Sequence, residues 1–90
     1  LAETLDSLVG REVVLDTAGP TIYLGRLASY NADGFWLTEA DVHNGDEGHA
    51  PRDQYVAESA RDGIRLNRQR VFVFRHTVIS VSALADVVTD

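Results

Sequence analysis

The chain has 90 residues, one domain (1–90) near the size at which a single core suffices but leaves modest stability. It has no cysteine, which excludes disulfides, thiolate chemistry and cysteine-ligated zinc. Its eight basic residues, all arginine, are outnumbered by 14 acidic ones, for a net charge of −6. That balance argues against a broad basic face gripping nucleic acid, yet leaves room for a small local site, because arginine suits planar and stacked contacts. No apolar run approaches the roughly 18 residues that span a bilayer. The opening Leu1-Ala2-Glu3-Thr4 lacks the basic end of a signal peptide, so a soluble, cytoplasmic chain without a membrane partner is expected.

Apolar Leu5, Leu8 and Val9, with Gly10 as a stop, predict a short N-terminal helix over Glu3 to Val9. Val13-Val14-Leu15 reads as a first strand, closed by a turn through Asp16 to Pro20. The run Thr21 to Tyr30 is a second strand whose interior Gly25 marks a sharp bend or bulge. After the turn cluster Asn31-Ala32-Asp33-Gly34, a third strand runs from Phe35 to Val42. Simple alternation places Trp36, Thr38, Ala40 and Val42 on one face and Phe35, Leu37, Glu39 and Asp41 on the other. Residues 43–63 form an insertion: a polar loop, then Pro51 as first helical residue, a helix over Asp53 to Asp62 and a stop at Gly63. Its apolar stripe is Tyr55, Val56 and Ala60, better suited to packing on its own barrel than to a partner, and Glu58 can pair with Arg61 one turn on.

Strand character resumes at Ile64 and Leu66 and strengthens into Arg70-Val71-Phe72-Val73-Phe74-Arg75-His76-Thr77-Val78-Ile79-Ser80-Val81. This β-branched and aromatic ribbon predicts two strands meeting at a polar Arg-His-Thr corner. Residues 83–88 form a short tail with one helical turn. The sum is mainly β: a helix, then five short antiparallel strands curved into a small barrel, with a helical insertion between the third and fourth.

Two stretches carry a family resemblance. Gly25 to Leu37, with its glycine, alternating strand, aromatic, Asn31, turn and second apolar strand, resembles the first signature of the Sm-like (LSm/Hfq-type) family. Phe74-Arg75-His76-Thr77-Val78-Ile79-Ser80-Val81 resembles the second, in the version where an aromatic, a cation and a histidine precede an apolar strand. The resemblance covers nearly the whole chain except the 43–63 insertion, which is longer than the compact loop of Hfq. It implies a strongly bent five-stranded barrel, a homo-oligomeric ring made by pairing strand four of one subunit with strand five of the next, and single-stranded RNA bound at the pore. It assigns RNA contacts to Arg75 and His76, with Asn31 in the first loop. The family's base-stacking position falls on Asp33, which cannot stack, so Phe35 is the displaced stacking candidate. The expected subunit seam is Val71, Phe72, Val73, Phe74, Val78, Ile79 and Val81, because two exposed apolar edges invite strand addition. Trp36 is read as core or interface, and Tyr30 as a core aromatic.

Other chemistry is thin. His43, Asp46, Glu47 and His49 could ligate a metal, but their spacing matches no zinc or calcium motif. Ser80 or Ser82 with His76 makes no convergent nucleophile, base and orienting group. No enzymatic activity, cofactor or metal is therefore expected. The alternative to an RNA-binding ring is an oligomeric scaffold that has lost RNA binding.

Overall fold

The computed structural model describes residues 4–45 and 51–89. Five antiparallel strands form one sheet: β1 (Glu12–Thr17), β2 (Thr21–Tyr30), β3 (Gly34–Asn44), β4 (Arg68–Phe74) and β5 (Val78–Ala83), in the order β4-β3-β2-β1-β5. The single α-helix among the described residues, α1 (Arg52–Asp62), lies between β3 and β4. The expected N-terminal helix is a 3₁₀ turn, Leu5–Leu8, started by Thr4, whose hydroxyl accepts the Asp6 N–H at 3.2 Å. None of its residues is fully buried, and so short a segment lacks the apolar stripe that would hold a longer helix. The tail makes one 3₁₀ turn, Leu84–Asp86.

The sheet buries its inner face and, over β1 and β2, part of its outer face. Val13, Leu15, Leu27, Phe35, Leu37, Ala40 and Val73 fill the concave interior, with Leu5, Leu8 and Tyr30 packed against them. Val14, Ile22 and Leu24 project from the opposite face and meet Tyr55, Val56 and Leu84. This second cluster explains the insertion. A helix with so thin a stripe has little intrinsic reason to stay docked, but burying Val56 alone contributes about 1.5–3 kcal/mol. The face expected to pack on its own barrel does so. Gly63 ends the helix at φ 98°, a left-handed conformation natural to glycine, while its N–H bonds the Ser59 carbonyl. Pro51 is the residue before the helix, not its first, and Glu58 pairs with Arg65 at 3.4 Å instead of Arg61. Arg61 turns toward the Thr89 carbonyl.

A bulge reshapes β3. Leu24 faces Asp41 and Arg26 faces Thr38, so β3 carries one extra residue opposite Gly25, and Glu39 takes φ 49°. The tight approach needs glycine: a Cβ on Gly25 would lie 3.0 Å from the Ala40 Cβ and 3.1 Å from its Cα. The extra residue overturns the expected alternation. Phe35, Leu37 and Ala40 share the interior, while Asp41 points to the other side, toward α1. There it is 2 % exposed, accepts the Tyr55 hydroxyl, and accepts the Asn67 side-chain amide at 2.9 Å. Asn67 also accepts the Val42 N–H at 3.0 Å and donates to the Val42 carbonyl at 3.1 Å, standing in for a strand at the end of β4. His43 stacks on Tyr55 with ring centroids 3.6 Å apart.

Burial, followed by the bond to Asp41, pushes the Tyr55 phenol up to about 12. A folded value above the ordinary 10 means that this contribution to stability is complete below pH 10 and is lost as pH rises through about 12. The unfolding midpoint in urea is expected to fall between about pH 10 and about pH 12, and Tyr55→Phe should remove part of that fall; an identical pH profile for the variant would contradict the assignment. Tyr30, raised chiefly by donating its hydroxyl to Asp6 at 2.7 Å, supplies another part.

Candidate nucleic-acid interface

The β2–β3 turn and the β4–β5 corner are far apart in sequence and adjacent in space. Asn31 organises the first: its side-chain oxygen accepts the N–H groups of Asp33 at 2.8 Å and Gly34 at 3.2 Å, and its own N–H bonds the Gly34 carbonyl at 2.9 Å. This is an Asx-type turn, the ordinary use of asparagine here. The second is a three-residue 3₁₀ turn, Arg75–Thr77, pinned by the Thr77 hydroxyl on the Phe74 carbonyl at 2.8 Å. The Arg75 N–H donates to the Asp33 carbonyl at 2.8 Å and ties the two loops together.

Arg75 and His76 stand exposed on this corner. With Ala32, Asp33, Phe72 and Phe74 they line a concavity of about 690 Å³. Phe74 is 58 % exposed, and its ring centroid lies 6.0 Å from that of His76. The site thus offers a cation, an imidazole and an open aromatic face side by side, with one carboxylate, Asp33, in the same wall. Such a set can hold a phosphate beside a stacked planar ring.

Phe35 requires correction. It is 5 % exposed and packs in the barrel interior, so its ring presents no platform for a base. The sheet inverts the expected roles: Phe74, placed at the seam from sequence, is the exposed aromatic. Alternation along β4 could have revealed this, since Val73 points inward and its neighbours therefore point out. Val73 itself, 2 % exposed, belongs to the core of its own chain, and Val71, Val78 and Val81 pack partly against that core. Of the expected seam residues, Phe74 and Ile79, the latter 68 % exposed, are the open side chains. Trp36 is partly buried on the outer surface, in edge contact with Phe72.

β4 and β5 do not pair with each other. β4 pairs with β3 and β5 with β1, at opposite ends of the sheet order, so each leaves one edge without a strand partner among the described residues. His43 is held by Tyr55, whereas Asp46, Glu47 and His49 lie outside the described residues. No described helix is long and apolar enough to cross a membrane.

No protein-family model matches this sequence, and no curated protein does. Among solved structures the chain is similar to the Sm protein of Pyrococcus abyssii, described in complex with a uridine heptamer. The two align with a TM-score of 0.62 over 91% of this chain and 99% of that one, at 15% identity. That likeness shows the fold: with its N-terminal turn, five antiparallel strands and a helix between the third and fourth, the chain has the Sm-like fold.

Proposed function

We propose that this protein binds single-stranded RNA at the Arg75–His76 corner, as a subunit of a homo-oligomeric ring. The observation that carries the reading is the bond from the Arg75 N–H to the Asp33 carbonyl, which brings exposed Arg75, His76 and Phe74 to one concavity. Arg75 contacts phosphate or a base edge, His76 hydrogen-bonds nearby, Phe74 takes the stacking role, and Asn31 holds the turn beneath them. The uridine heptamer bound by the similar Sm protein supports the choice of ligand. The unpartnered edges of β4 and β5 support the ring, because an exposed apolar edge is stabilised by head-to-tail strand addition. The role is one of binding, without catalysis.

Native mass measurement at micromolar concentration is expected to give an oligomer; a monomer would remove the ring. Labelled oligo-uridine should bind saturably, more weakly at high salt, and Arg75→Ala should weaken it by about 10-fold and reduce the salt slope by about one. Asp33 in the wall of the site and the net charge of −6 favour a second reading, an oligomeric scaffold without RNA. An oligomer that binds no RNA at low salt would establish it.

A further inference from the structure

The acidic chain segregates its charge. Residues 63–85 contain Arg65, Arg68, Arg70 and Arg75 and no aspartate or glutamate, within a protein of net charge −6. On the outer face of the β3–β4 ladder, part of this segment forms a chain of ring contacts, edge-on or tilted, that ends in a guanidinium over a tryptophan face. The Arg70 guanidinium lies 3.9 Å from the centroid of the Trp36 ring, Trp36 meets Phe72 at 4.9 Å, Phe72 meets Phe74 at 5.4 Å, and Phe74 meets His76 at 6.0 Å. These contacts start at the corner site and run along most of β4, from Phe74 paired with Gly34 to Arg70 paired with Thr38.

Each part has a structural use alone, since a guanidinium can simply cover a tryptophan. Their sequence is harder to explain that way. A face meant only to be shielded would be closed by its cation, yet Phe74 remains largely exposed and Arg70 exposed. A face meant for an apolar protein partner gains nothing from four arginines in a segment of chain without a carboxylate, where Asp33 of the neighbouring turn is the acid beside them at the corner. Three aromatic rings with Arg70 at one end and Arg75 and His76 at the other suit a polyanion whose repeating unit is a flat ring.

We infer that the outer face of β4 is a second stretch of the RNA path, along which a strand leaving the Arg75–His76 corner stacks bases over Phe74, Phe72 and Trp36 and sets phosphate against Arg70. The inference rests on the proposed corner site but predicts something that site alone does not: affinity should grow with strand length beyond what the corner can hold. Trp36 is the sole tryptophan, so the path carries its own reporter.

The test is a paired titration of the full chain with uridine trimer and uridine decamer, read by anisotropy of labelled RNA and by Trp36 fluorescence. The decamer should bind at least 10-fold more tightly and perturb Trp36, whereas the trimer should not. Arg70→Gln should weaken the decamer several-fold and leave the trimer unchanged; Trp36→Leu, read by anisotropy and checked for native folding by circular dichroism, should do the same. Trimer and decamer of equal affinity, both lost on Arg75→Ala and untouched by Arg70→Gln, would overturn the path and keep the corner. No binding of either would remove both. Polyphosphate or polyglutamate competing as well as the decamer would reduce the face to a charge patch and overturn the stacking claim.

Discussion

Gly34→Ala is expected to be the most destabilising single methyl that can be added to the described strands. A Cβ there would run into the Val73 carbonyl oxygen and would sit 2.9–3.0 Å from two carbons of the Phe72 ring. The carbonyl belongs to backbone that cannot rotate away, so β3 and β4 must separate where Gly34 pairs with Phe74. Ordinary overpacking costs about 1–3 kcal/mol, and a collision with backbone belongs at or above the top of that range. A domain of this size has roughly 5–13 kcal/mol in all, so a drop of about 3 kcal/mol should lower Tm by about 12–20 °C. Urea unfolding at fixed protein concentration measures it, since any self-association shifts apparent stability. A loss below about 1 kcal/mol would show that β4 is not held against Gly34 as described.

The second large effect lies at the opposite end of β3. Asp41→Ala removes the acceptor for both the Tyr55 hydroxyl and the Asn67 amide, at a site 2 % exposed. A hydrogen bond to a charged group contributes about 1.5–3 kcal/mol, and stranding a buried donor adds its desolvation cost. A loss of about 3 kcal/mol is expected, against about 1.5 kcal/mol for Tyr55→Phe. Because both substitutions break the same bond, the double variant should fall short of the sum by about 1 kcal/mol or more. Strict additivity would contradict the contact. Hydrogen exchange in α1 should accelerate in either variant while β2 stays protected, because the carboxylate ties α1 and Asn67 to β3.

How legible the chain was depended on whether a feature is local. β2 reads from sequence as Thr21 to Tyr30 because its limits are set by Gly19-Pro20 and by the Asn31 turn, both short-range signals. The helix reads within a residue for the same reason. Asp41 does not, because its face is decided by a bulge that comes from Gly25 approaching Ala40 on another strand. A rule of strict alternation has no means of counting an extra residue opposite a glycine. The corner was legible as chemistry, Arg75 and His76, but not as geometry: which aromatic faces out depends on where Val73 is anchored. The Asp41, Tyr55 and Asn67 cluster left almost no sequence signal, since three polar residues spread over residues 41–67 look like solvated surface until the fold brings them together.

The three-residue 3₁₀ turn between β4 and β5 has a mechanical meaning. With the Val78 N–H bonded to the Arg75 carbonyl and Thr77 bonded to Phe74, the turn has no slack to absorb a displacement. The turn joins the ends of β4 and β5, the two strands whose outer edges have no strand partner among the described residues. If those edges are where copies join, ligand occupancy and assembly become linked equilibria: whatever RNA adds to subunit cohesion, cohesion must return to RNA affinity in equal measure. The register of a ring and the grip on its ligand would then be two readings of one free energy.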